Sequence, residues 1–238
     1  MNYILAILLV GLVVLAHEFG HFLAAKLVAV PVKCFSIGFG PKVWGFYKGI
    51  TEYRLSLFPI GGYLLPEVQD ETQFFKLPVN KRIILAAGGP IASVLLTIIC
   101  FSLLNILSKG FSFNGLLIEP LLLTGRLSSA MFNALLQAFS HPNRLSSAIG
   151  LVAQGGDFIS SKSLNWLLFT ASVSLNLGII NLVPLPVLDG GKILLYSLEK
   201  IHPKLVRLHY PLALAGWVLI IGLTIYITVI DISRLCLS

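Results

Sequence analysis

Long apolar runs separated by shorter polar connections give this chain its pattern. Tyr3 to Ala25 is apolar until His17 and closes at Lys26. Ile83 to Ser108 follows Lys81-Arg82 and holds no Asp, Glu, Lys, Arg or His. Ser163 to Leu188 is equally free of ionisable side chains and ends at Asp189, and Tyr210 to Ile230 stays clean until Asp231. A bilayer is crossed by about 20 mostly apolar residues, so the pattern predicts four transmembrane helices over 3–25, 83–108, 163–188 and 210–230. Four crossings put both termini on one side.

The stretch from Val32 to Leu65 is too polar and glycine-rich for a helical span and too apolar for a plain loop. It reads as strands, with a turn at Lys48-Gly49. From Glu52 to Leu57, Tyr53, Leu55 and Leu57 alternate with Glu52, Arg54 and Ser56, the period of a half-exposed strand. Non-helical backbone at membrane depth survives where protein or a water-filled cavity satisfies it. One reading is a re-entrant sheet over 32–65 whose free edge pairs with an extended peptide. The other is an interfacial hairpin that packs on the helices. Before the third span, Leu127, Met131, Leu135 and Ala138 recur at helical spacing, which predicts an amphipathic helix ending at His141-Pro142-Asn143. Ala153 to Gly156 reads as a turn, and His202 and His209 as solvated loop histidines.

Composition supports the spans. Hydrophobic residues make up 56% and charged residues 11% of 238, and the mean hydropathy is +0.90. A soluble domain carries about a quarter charged residues. The fold class is therefore a polytopic α-helical membrane protein. The net charge of +7 is read as membrane topology and not as a nucleic-acid surface. Lys and Arg concentrate between spans one and two and after span three, which puts those connections on the cytoplasmic side. Cys34, Cys100 and Cys236 are far apart and suggest neither a disulfide framework nor a cysteine metal site. The first run lacks a basic n-region and is expected to be a retained span. No repeat or separate soluble domain is visible, so 1–238 reads as a single domain.

Inside the first span lies His17-Glu18-Phe19-Gly20-His21. Positions i and i+4 share a helix face, so both histidines can present a ring nitrogen to one Zn²⁺, with Glu18 beside the metal as a general base. The plainer reading is a pair of helix-packing histidines with a snorkelling glutamate. Ionisable groups inside a span point instead to function. His17 lies roughly 13 Å before Lys26 along a helix axis, toward the cytoplasmic side. A catalytic zinc takes three protein ligands and leaves a fourth position for water. Among the carboxylates, Asp189 ends a span at the matching depth, after Pro184 and Pro186 and before Gly190-Gly191. The plainer reading of Asp189 is a carboxylate that marks a span's end.

At these residues the chain resembles the site-2 proteases, intramembrane zinc metalloproteases, and most of all the bacterial regulator of sigma-E protease subgroup. The blocks that carry the resemblance are His17 to His21, Phe35 to Gly40, Thr51-Glu52-Tyr53 with Pro59-Ile60-Gly61-Gly62-Tyr63, Asn176 to Asn181, and Leu188 to Gly191. The resemblance implies zinc held by His17, His21 and Asp189, with Glu18 as base and acid. It implies a membrane-embedded hairpin over 43–65 that feeds substrate, and Asn176 and Asn181 near the bound peptide. Pairing of an unwound substrate with the edge near Pro59, Gly61, Gly62 and Tyr63 would replace its broken helical bonds. The expected activity is hydrolysis of peptide bonds within transmembrane segments of single-span proteins, as in regulated intramembrane proteolysis of an anti-sigma factor or a remnant signal peptide. The expected partners are that transmembrane substrate and the lipid bilayer, with no nucleic acid. The expected location is the bacterial inner membrane, with the active site toward the cytoplasm.

The chain departs from the subgroup in three places. Lys109 to Lys162 is too short for a PDZ domain plus the amphipathic helix, which leaves a role for an accessory gating protein. Ser93 stands where asparagine is common, and Ala148 where proline is usual. Two other functions fit part of the pattern. A membrane metal-ion transporter would need polar groups along a path, and spans two and four offer none in their interiors. A non-catalytic scaffold would be expected to lack a catalytic group, yet His17, Glu18, His21 and Asp189 are all present.

Overall fold

Val79 to Lys109 forms the long helix (α3) against which the rest is arranged. The computed structural model describes residues 2–67, 71–140 and 148–237. The first apolar run folds as α1 (Asn2–Leu27), which contains no proline to interrupt it. It ends where Ala29 adopts φ 53° and Val30 N–H returns to Ala25 O at 2.9 Å, just before Pro31. Two strands follow, β1 (Val32–Lys48) and β2 (Thr51–Pro66), then a short helix α2 (Glu71–Lys76). After α3 come a π-helical turn (Asn114–Ile118), α4 (Glu119–Ser140) and α5 (Ala148–Ser161). The chain closes with α6 (Asn165–Asn181), α7 (Asp189–Ile201), a 3₁₀ turn (Pro203–Leu208) and α8 (His209–Leu237).

Among the described residues, three segments are long and apolar enough to cross a membrane: Asn2–Leu27, Val79–Lys109 and Pro203–Ile230. The chain is an integral membrane protein. The expected third span, 163–188, differs from what forms. Helix α6 is 17 residues long, about 26 Å at 1.5 Å per residue and short of a hydrocarbon core of about 30 Å. It stops at Asn181 because Pro184 and Pro186 cannot continue helical bonding, and Asp189 opens a separate helix.

Helices α1 and α3 cross with their backbones in contact: a Cβ on Gly20 would lie 2.2 Å from Gly88 O. Only glycine permits this approach, and it fixes the depth of His17 and His21 against α3. Helix α6 is bound to α3 by hydroxyls. Ser174 Oγ donates to Ser93 O at 2.8 Å, and Thr97 Oγ1 reaches Ala171 O at 3.2 Å. Phe22, Ala25, Val32, Phe35 and Leu85 form a core between α1, the sheet and α3. Ala6, Leu9, Ile159 and Phe169 close the far end.

The strands are long and bent, and each folds back on itself. Phe35 pairs with Leu64 on one side and Tyr53 on the other, and Tyr53 also pairs with Phe46, so four segments lie side by side: the two outer pairings are antiparallel, while Cys34 to Ile37 and Glu52 to Leu55 advance in the same direction. The hairpin turns at Gly49, with φ 63°. The expected alternation is present, and polar side chains take its inner positions. Glu52 and Ser56 are buried, while Leu55 and Leu57 face outward. Ser56 Oγ meets Ser36 Oγ at 3.0 Å, and Ser36 donates to Gly38 O at 3.0 Å. Glu52 is held by Lys42 and, at 2.9 Å, by Arg54.

Three further expectations change. The amphipathic helix starts earlier, at Glu119; its expected end at 141–143 lies outside the described residues. Ala153 to Gly156 is helical, not a turn. Gly155 and Gly156 there admit aromatic rings, since Cβ atoms would sit 2.4 Å from Phe169 Cε2 and 2.2 Å from Tyr3 Cδ1. His202 is exposed as expected, but His209 is buried, stacked between Phe75 and Tyr196.

Candidate active site

Helix α1 presents His17 and His21 from successive turns on the face that meets α3. Their rings lie edge to face, 5.0 Å apart. Helix α7 brings Asp189 to them from across the bundle: His17 Nε2 is 3.1 Å and His21 Nε2 3.2 Å from the same oxygen, Oδ2. Gly190 and Gly191 let α7 start hard against the preceding loop, because their Cβ atoms would lie 2.1 Å from Leu182 O and 1.9 Å from Leu185 O. His17 and Asp189 are buried, and the His21 side chain is 12% exposed.

The outer atoms of the rings are also engaged. His21 Nδ1 lies 2.7 Å from Leu85 O, a pure acceptor, so Nδ1 carries the proton and Nε2 is left with a lone pair. His17 Nδ1 lies 2.9 Å from Ser93 Oγ, which can accept in the same way. Imidazole lone pairs therefore converge with a carboxylate oxygen on one small volume, an arrangement that repels itself unless a cation occupies it. The spacing fits one: two ligands about 2.0–2.1 Å from a tetrahedral zinc lie roughly 3.3 Å apart. Room is provided by Gly89 of α3, whose Cβ would stand 2.3 Å from His21 Nε2 and 2.5 Å from His17 Nε2.

These groups line a cavity of about 470 Å³ that also includes Glu18, Val14, Leu64, Asn181, Lys192 and Trp217. Glu18, proposed from sequence as the base, thus shares one space with His17, His21 and Asp189. Asn181 lines the cavity too, although its Nδ2 donates to Leu177 O at 3.1 Å. Asn176 is exposed on α6 and is not among the lining residues. Pro59, Gly61, Gly62 and Tyr63 lie in β2. There Gly61 and Gly62 sit against Val14 and Leu15 of α1, where added Cβ atoms would approach to 3.0 and 3.4 Å, and Tyr63 OH accepts from Arg54 at 3.3 Å.

Three other carboxylates are engaged away from these histidines. Glu199 is clamped by Arg82, Glu119 by Lys109, and Asp157 accepts from Tyr3 at 2.7 Å. Three contributors to the site escaped sequence reasoning. Lys192 was counted only as a topology charge and Ser93 only as a departure from pattern, while Gly89 was one of two glycines in an apolar run. That glycine pair was the one available signal.

The sequence model of Peptidase family M50 matches residues 5–224. The chain belongs to this family, the site-2 protease family. Relatives within reach have names that assign them as zinc metalloproteases. A Chlamydia pneumoniae protein is 39% identical over 119 residues, which is 43% of this chain and 19% of that protein. A Treponema pallidum protein is 35% identical over 133 residues, 49% of this chain and 30% of its own length. A Clostridium perfringens protein is 24% identical over 98% of both chains. That last alignment runs over 332 positions against 238 residues here, so the relative carries residues with no counterpart in this chain. The matched part thus spans about a fifth of the Chlamydia pneumoniae protein, whereas the family match runs almost end to end.

Proposed function

We propose that this chain is an intramembrane zinc protease that hydrolyses peptide bonds within transmembrane segments of single-span proteins. The observation that carries the proposal is the convergence of His17 and His21 Nε2 on Asp189 Oδ2 beside Glu18, in one cavity between apolar helices. Zn²⁺ held by His17, His21 and Asp189 supplies a Lewis acid that polarises the scissile carbonyl and brings the pKa of water toward about 7. The Glu18 carboxylate takes the proton of the attacking water as it adds to the carbonyl carbon. It then gives that proton to the leaving nitrogen as the C–N bond breaks. Asn181 lines the cavity, and we assign its amide, once turned from Leu177 O, as the donor to the oxygen that gains charge.

A substrate helix must unwind before its carbonyls can be reached. Leu64 and Pro66 of β2 line the same cavity, which supports the sheet as the element that pairs with the unwound segment. The bilayer and a transmembrane substrate are then the partners, with α6 completing a four-helix crossing. An accessory protein takes the gating role that a PDZ domain fills in the subgroup the chain resembles. The basic connections support an orientation with the site toward the cytoplasm, and the location we propose is the bacterial inner membrane. A single-span substrate co-reconstituted with the chain in liposomes tests the reading. Cleavage is expected, with loss in Glu18→Gln of roughly 10²–10⁴-fold and zinc retained; undiminished cleavage by Glu18→Gln would remove Glu18 from the mechanism.

A further inference from the structure

Each of the three metal-facing side chains has a second contact on the atom turned away from the metal position. For His17 it is Ser93 Oγ, for His21 it is Leu85 O, and for Asp189 it is Lys192 Nζ, 3.2 Å from Oδ1. The third contact differs in kind, because a carboxylate has two oxygens that can both ligate. Building on the proposal that His17, His21 and Asp189 hold zinc, we infer that Lys192 is a positioning residue that makes Asp189 a one-oxygen ligand. Its ammonium occupies Oδ1, Oδ2 alone faces the two imidazoles, and the fourth position stays free for water.

Four observations carry this. Oδ2 is the oxygen within 3.2 Å of both Nε2 atoms, while Oδ1 points to the lysine. The pair is separated by three residues in the first turn of α7, so the helix itself sets the spacing. The Asp189 side chain is 6% exposed, so an Oδ1 without its lysine has little water to turn toward and the metal beside it. Lys192 itself is 44% exposed and lines the cavity with Glu18, so its stem is free to hold the ammonium in place without being part of the core. An ion pair between two exposed side chains would count for little. Here the acid is buried and is a ligand.

The test uses purified protein loaded with Co²⁺, whose visible absorption reports coordination number. Parent protein and Lys192→Arg are expected to show the strong band of a four-coordinate site. Lys192→Met is expected to show the weaker spectrum of higher coordination. Its kcat on a single-span substrate should fall roughly 10–100-fold, with KM little changed. Thermal unfolding without metal should be alike for all three; Lys192→Gln, which keeps a donor without the charge, serves as a second variant and should fall between Arg and Met. A cobalt spectrum of Lys192→Met identical to the parent's would overturn the inference and leave the metal site standing. His17→Ala that still binds Co²⁺ like the parent would instead overturn the metal-site reading, and this inference with it.

Discussion

Ser93 Oγ stands 2.9 Å from Nδ1 of His17, fully buried, on the helix that also carries Gly89. A hydroxyl at that point can accept from Nδ1–H, the arrangement that leaves Nε2 for metal. Removing it strands a buried N–H and lets the ring tautomerise or turn. Ser93→Ala should therefore weaken zinc binding about 10–100-fold, measured by competition with a chelator, while the protein stays folded. Affinity equal to the parent's would show that the ring is held by packing alone.

Gly89 makes a sharper prediction. A methyl group there would lie 2.3 and 2.5 Å from the two Nε2 atoms, about 1 Å inside ordinary contact. Either ring must shift, and a misplacement of that size costs roughly 10²-fold in rate. Gly89→Ala should keep its thermal stability without metal, retain little zinc by elemental analysis, and cleave poorly. A zinc-replete, active Gly89→Ala would mean that the metal sits elsewhere.

In the wall of the cavity, Arg82 is 1% exposed and grips Glu199 with both terminal nitrogens, at 2.8 and 2.6 Å. Breaking such a pair leaves a charge without a partner, at a cost of about 3–5 kcal/mol. Arg82→Ala or Glu199→Ala should lower the unfolding temperature in detergent well beyond any effect of surface substitutions.

The same pair sets a pH dependence. Hydrogen bonds from Arg82 lower the Glu199 carboxyl's pKa, against burial that would raise it. A group whose folded pKa is lowered stabilises fully above its unfolded value, about 4.3, and loses that contribution as pH falls through the folded value. Unfolding temperature should hold from neutral pH to about 5 and decline below about 4. In Glu199→Gln that acid decline should shrink; an identical decline would assign it to other carboxylates.

Much of the site was legible because its signals are local. The His17–Glu18–His21 spacing needs only a helix, and Asp189 stood out as the one carboxylate at matching depth. Lys192, three residues on, was hidden by a rule that counts lysines without asking what they touch. The run 163–188 reads as one span by hydropathy, whereas Pro184 and Pro186 end α6 at Asn181 and free Asp189 to begin α7. In the strands the period is legible and the inner side is not. Alternation shows that two faces differ, whereas only the surrounding solvent decides which one turns outward.

The polar inner positions of the strands have a consequence for the surroundings the sheet needs. With Val43, Trp44, Leu55, Leu57 and Phe58 outermost and Ser36, Glu52 and Ser56 enclosed, the β segment is an inside-out object by aqueous standards. Released into buffer it would bury its outer side chains in whatever oil it could find, its own neighbours first. Among the described residues, nothing supplies the apolar cover that its outer side chains call for.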